Sequence, residues 1–146
     1  MKVFDRVARR IERSGGAGYA EDAVLEDTRQ KMVASAVFLA NSLPRAKLVV
    51  FTHHGTMPRY VSNLRPENAP IFAFTASEVV FRQIVICWGT HPVMLHFADD
   101  PKVTIEAAIK HLREARLAEP GDNLIILTDM VAGGDKVDCV QLRVAE

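Results

Sequence analysis

The sequence predicts an α/β protein: a three-layer α/β/α arrangement around a mixed five-stranded sheet, mostly parallel, with the last strand antiparallel. Three observations predict it. Short apolar runs alternate with helix-patterned stretches from residue 48 onward, the pattern of parallel strands joined by right-handed crossover helices. The first run, Leu48-Val-Val-Phe51, is apolar at successive residues, as a strand covered on both faces requires. The last two runs are too close together for a helix between them. A parallel return needs about a dozen residues or more, so the fifth strand pairs antiparallel.

Each element has its own signal. Residues 1–14 are amphipathic, with Val3, Phe4, Val7, Ala8 and Ile11 on one face. Ser14-Gly-Gly-Ala-Gly18 breaks that helix and reads as a flexible connection. The first helix is too small to fold alone, so its apolar face is expected to pack on the main body, on another subunit, or on further protein. The domain division is therefore 1–20, helix and Gly-rich connection, and 21–146, the α/β domain. A long helix is expected from about Glu21 to Ser42, with Ala23, Val24, Met32, Val33, Ala36, Val37, Leu39 and Ala40 inward, ended by Pro44.

The first strand, Leu48 to Phe51, runs through a polar loop into a helix from about Pro58 to Leu64. Pro58 suits a helix first turn, where its missing N–H is not needed. Ile71 to Phe74 is the second strand. Ser77 caps a helix expected to reach Cys87, with Gly89 as its left-handed end and Trp88 packed against the sheet or an interface, core packing being the favoured reading. A third strand is expected at Val93 to Phe97, after Pro92. Asp99 or Asp100 caps a helix beginning near Pro101, with Val103, Ile105, Ala108, Ile109 and Leu112 inward. Pro120-Gly121-Asp122 turns the chain into a fourth strand, Leu124 to Leu127. Asp129 to Lys136 reads as a Gly-rich loop, and the alternating run Val137 to Val144 as a fifth strand at the sheet edge.

Composition narrows the function classes. At 146 residues the chain suits one domain that buries about 70% of its unfolded surface. Lysine plus arginine equals aspartate plus glutamate, at 18 each, so no bulk charge argues for nucleic acid or an acidic membrane. No apolar run approaches the ~20 residues of a membrane helix. The charged N-terminus lacks a signal-peptide core, so secretion is not expected. Cys87 and Cys139 form no metal or redox motif and read as free thiols in a reducing cytoplasm.

Chemistry concentrates in the loop Thr52-His-His-Gly-Thr-Met57. It follows the carboxyl end of a strand, where open α/β sheets bind ligands. Its Gly55 permits a sharp turn into a helix N-terminus, whose N–H groups favour anions. It lacks the spacing and the Gly-Lys-Ser/Thr ending of a Walker loop. The bland reading is a plain strand-to-helix turn. His53, His54, His91, His96 and His111 show no zinc spacing, so no metal site is expected. No nucleophile motif occurs. Asp129 sits where catalytic carboxylates often sit, with a loop-capping turn as its bland reading.

The assembled pieces resemble the C-terminal domain of pyruvate kinase over about Asp22 to Val144. The resemblance is carried by Ala46-Lys-Leu-Val-Val-Phe-Thr52, the Gly55 turn, Val61-Ser-x-x-Arg65-Pro66, Ala69-Pro-Ile71, Ala73-x-Thr75, Arg82, Cys87-Trp-Gly-x-x-Pro92 and Pro120-Gly121-Asp122. It implies a glycolytic parent enzyme that makes pyruvate and ATP from phosphoenolpyruvate and ADP. In that family the catalytic site, with its divalent and monovalent cations, lies in a barrel domain that these 146 residues do not include. The resemblance thus implies a cytoplasmic regulatory and assembly domain, within a homo-oligomer, with no catalytic residue or cofactor of its own.

The resemblance also places a phosphorylated effector at the loop: Thr52, His53, His54, Gly55 and Thr56, faced by Gly133 and Gly134. The family pattern there is Thr-x-Ser-Gly-x-Ser/Thr. Thr52 and Gly55 match it, whereas His54 and Met57 replace hydroxyls. The Gly-Thr-Thr-Asn stretch is replaced by Gly133-Gly134-Asp135-Lys136. The site is therefore expected to be degenerate. Protonated His53 and His54 would donate to an anion, so binding would weaken as pH rises. Two alternatives remain: an oligomerisation module without ligand, and a free-standing α/β enzyme using Asp129 or a loop histidine.

Overall fold

The computed structural model describes residues 2–13, 22–132 and 135–146. Helix α1 covers Lys2–Arg13. Val3, Phe4 and Val7 are 62%, 81% and 51% exposed, so among the described residues its apolar face stays uncovered. Of the three expected partners for this face, the main body does not cover it.

Helix α2 covers Thr28–Ser42, not Glu21–Ser42. The later start has a local cause. The Asp27 carboxylate accepts the Gln30 N–H at 2.7 Å, while the Gln30 side-chain oxygen accepts the Glu26 N–H at 2.7 Å. This reciprocal cap satisfies the first turn and leaves the preceding residues irregular. Val24, expected inward, is 88% exposed. Strand β1 (Ala46–Phe51), helix α3 (Thr56–Asn63), strand β2 (Ile71–Thr75) and helix α4 (Glu78–Ile84) follow.

Strand β3 is Thr90–Met94, displaced from the expected Val93–Phe97. Pro92 lies inside it, opposite Ala73. An edge strand tolerates this because proline's missing N–H can face away from the one neighbour. Helix α4 stops at Ile84 rather than Cys87, and Gly89, at φ +65°, leads into β3 instead of ending the helix. Helix α5 is Pro101–Glu114, and it is Asp100 that caps it, accepting the Lys102 N–H. Val103, expected inward, is half exposed.

Strands β4 (Asn123–Ala132) and β5 (Asp135–Val144) pair antiparallel from Asn123–Val144 to Ala132–Asp135. Most of the expected Gly-rich loop 129–136 is therefore ladder, because backbone pairing continues as long as two antiparallel strands stay in register.

The sheet order is β3-β2-β1-β4-β5, parallel except for β4–β5. Alternate residues of the central strands feed two cores. Leu48, Val50, Ile125 and Leu127 pack with Val33, Ala36, Val37, Met57 and Val61 of α2 and α3. Val49, Phe51, Phe72, Phe74, Leu124 and Ile126 pack against Ile105, Ala108 and Leu112 of α5. Val80 and Ile84 of α4 cover Ala73. The predicted three-layer mixed sheet is the observed one.

Candidate functional site

The predicted loop leaves β1 at the carboxyl edge of the sheet. Thr52 is buried, and its N–H donates to the Phe74 carbonyl at 3.0 Å. Its hydroxyl accepts the Gly55 N–H at 2.8 Å. That hydroxyl–amide bond closes the turn on itself. Gly55 is the N-cap of α3, with φ +79°. A Cβ there would meet Ile84 Cγ2 at 3.3 Å and Val80 Cγ1 at 3.4 Å. The backbone angle favours glycine, and a Cβ would fit only if those two side chains gave way slightly.

Helix α3 has no side-chain cap among the described residues, so its first N–H groups are open to an anion. His53 and His54 are exposed, with ring centroids 6.3 Å apart. The His53 ring meets the Phe97 ring edge-on at 5.0 Å. Thr56 is half-buried at the first helical position. Met57 is 4% exposed and belongs to the core under α3, so that position turns away from any ligand.

The structure thus brings Thr52, His53, His54, Gly55 and Thr56 into one turn, but Thr52 Oγ1 is already engaged. Gly133 and Gly134 lie outside the described residues, as does the side chain of Asp129.

Two further buried hydroxyls sit at this level of the sheet. Thr75 ends β2 and its Oγ1 accepts the Ser77 N–H at 3.2 Å. Thr128 follows the Val50–Leu127 pair, and among the described residues its hydroxyl is buried without a partner. The only sequence signal for either was a threonine terminating an apolar run.

The other histidines do not converge on the loop. His91 is in β3 beside Phe72, His96 lies beyond that strand, and His111 is on α5. Among the described residues no group of three or more His, Cys, Asp or Glu could hold a metal ion. Cys87 and Cys139 are free and half-buried. Burial pushes the Cys87 thiol up, with Arg59 pulling it back. Trp88, expected in the core, is 38% exposed, and the Arg65 guanidinium lies 5.6 Å from its ring centroid. No described helix is long and apolar enough to cross a membrane.

The sheet's opposite edge is closed by charge. Asp122 is 2% exposed. It takes the Glu119 N–H at 2.8 Å, Arg45 at 2.7 Å and Lys47 at 3.0 Å. Burial by itself raises the carboxyl pKa, but these three donors more than reverse that and hold it at about 2.

A family model described as the pyruvate kinase alpha/beta domain matches residues 30–142. Pyruvate kinase isozyme A, a chloroplastic protein of Nicotiana tabacum, is 33% identical over 102 residues, which are 70% of this chain and 17% of that protein. Pyruvate kinase of Lactococcus lactis is 33% identical over 119 residues, 81% of this chain and 24% of that protein. Among solved structures, Cryptosporidium parvum pyruvate kinase in complex with ADP matches with a TM-score of 0.76. It covers 85% of this chain and 25% of that one, at 22% identity, and so supports the fold alone. This chain therefore spans about a quarter or less of these relatives' length. It belongs to the pyruvate kinase family and corresponds to that family's C-terminal alpha/beta domain.

Proposed function

We propose that this chain is a regulatory and assembly domain of a pyruvate kinase, with no catalytic site of its own, and that the β1–α3 loop is a reduced effector site. The observation that supports this reading most directly is the uncapped N-terminus of α3 behind Gly55, inside the matched alpha/beta domain. Backbone N–H groups, Thr56 and two exposed histidines are the donors. A phosphate there is held by fewer hydroxyls, because Thr52 Oγ1 is bonded within the turn and Met57 is buried. The expected ligand is a phosphorylated sugar or nucleotide, bound weakly because few hydroxyls remain to hold it.

Calorimetry with fructose bisphosphate and with AMP tests this, together with amide chemical shifts. No heat and no shift at residues 52–57 would remove the effector role and leave the family membership standing. A phosphoenolpyruvate-to-ADP transfer belongs, on this reading, to the longer enzyme. The division at residues 20 and 21 is part of the proposal. So is a reducing cytoplasmic location, supported by two free thiols.

The exposed Val3, Phe4 and Val7 of α1 favour an assembly role beside the regulatory one. Sedimentation of the 146-residue chain should show concentration-dependent association that Phe4→Glu abolishes. A strict monomer at high concentration would count against assembly through α1.

A further inference from the structure

Between α3 and the turn that joins α4 to β3 the surface opens into a depression of about 590 Å³. Arg59 and Arg65 flank it, Ile86 and Trp88 form an apolar wall, and Thr56 and Asn63 add polar edges. None of its lining residues is acidic, in a chain whose formal net charge is zero.

The wall stands open to solvent. Ile86 is 88% exposed and Trp88 38%. Arg65 holds a left-handed backbone at φ +47°, directly before Pro66. That conformation is costly for a branched-out side chain. Its guanidinium nevertheless lies 5.6 Å from the Trp88 ring centroid, and the Ser62 hydroxyl bonds the Trp88 carbonyl at 2.9 Å. The two partners are thus held relative to one another before any ligand arrives. Arg59 is exposed, and its charge reaches the Cys87 thiol in the same wall.

We propose that this depression binds a small organic anion with a flat apolar body. The carboxylate or phosphate head lies against Arg59, and the body rests on Ile86 and the exposed part of the Trp88 indole, which the Arg65 guanidinium overlies. Guanidinium donors give charge-assisted bonds to such heads, and covering the open wall removes apolar surface from water. The site adjoins the β1–α3 loop only through Thr56, and none of its holding groups belongs to that loop.

Trp88 is the chain's single tryptophan, so its fluorescence reads this wall directly. The probes are phenyl phosphate, phenylacetate, neutral phenylacetamide and inorganic phosphate, titrated into the 146-residue chain. A saturable fluorescence change is expected with at least one phenyl anion. Its Kd should rise about tenfold in Arg59→Gln, the scale of one charge-assisted bond. Phenylacetamide and inorganic phosphate should each bind about tenfold more weakly than the phenyl anion that binds best. His54→Ala should leave the titration unchanged, which separates this site from the loop. Arg59 is exposed, and an unchanged far-ultraviolet spectrum would confirm that its variant folds. The proposal is overturned by any of three results: no saturable change with either phenyl anion, equal affinity for phenylacetamide, or an unaltered Kd in Arg59→Gln.

Discussion

The two edges of the sheet carry opposite designs. At the amino edge the chain turns Pro44–Arg45 and Pro120–Asp122 come together, and both oxygens of the buried Asp122 carboxylate accept donors. At the carboxyl edge the β1–α3 turn closes on itself through Thr52 and Gly55, and leaves two histidines and a helix N-terminus facing solvent. A closed polar network holds strands together, because each buried group has a partner. An open one costs stability and is the place where a ligand can supply the missing partner. The difference puts a closed ion network at one edge and, on the proposed reading, leaves the other edge to a ligand.

Breaking the closed edge should have the largest effect. Asp122→Ala leaves Lys47, 17% exposed, without its carboxylate, and Arg45, 54% exposed, with only the looser Glu119 pair at 3.8 Å. A loss of about 3 kcal/mol in urea unfolding is expected, the lower end for one broken buried pair because Arg45 remains half in water. A loss below about 1 kcal/mol would show that the network does not hold this edge.

Acid should act on the same group. The Asp122 pKa is about 2 in the folded chain, against an ordinary 3.8. A lowered pKa gives stability that is fully present above the ordinary value and is lost as pH falls from about 4 through about 2. The contribution is about 2 kcal/mol. Stability measured across that window should fall more steeply for the native chain than for Asp122→Asn, and parallel curves would refute the assignment.

At the open edge, Gly55→Ala should cost about 1–2 kcal/mol, from a non-glycine residue at φ +79° with Ile84 in close contact. The loss should appear in thermal unfolding, and any effector binding should fall with it. An unchanged melting temperature would mean the turn relaxes to another conformation.

The smallest effect sharpens the comparison most. His54→Ala should change stability by less than about 0.5 kcal/mol, since the side chain is exposed. Effector heat should nevertheless fall, since an exposed donor at the mouth of the turn is removed. A stability loss as large as that of Gly55→Ala would place His54 in the structure rather than in the site.

Much of this fold was legible because its signals are local. Two-sided burial of Leu48–Phe51, the Ser77 cap and the short β4–β5 connection each depend on neighbours in sequence. The errors came where a local signal competed with pairing. Pro92 reads as a strand breaker until its position on an edge strand removes the need for its N–H. The Gly-rich stretch reads as a loop until the β4–β5 ladder carries order to Ala132 and Asp135. The Asp27–Gln30 cap is a local signal, set against an apolar pattern that runs back to Ala23.

The site divides in the same way. That a Gly-containing loop follows the first strand and begins a helix was determined by the sequence alone, since Gly55, Pro58 and the apolar run dictate it by backbone sterics. Which groups of that loop remain available was decided only by tertiary structure. Thr52 turned inward onto Gly55 N and Met57 entered the α3 core. Asp122 became the centre of an ion network because Arg45, 77 residues away, folds beside it. Trp88 stayed exposed under Arg65. Partners so distant in sequence leave no periodicity or spacing to read, because only the closing of the sheet brings them within hydrogen-bond range.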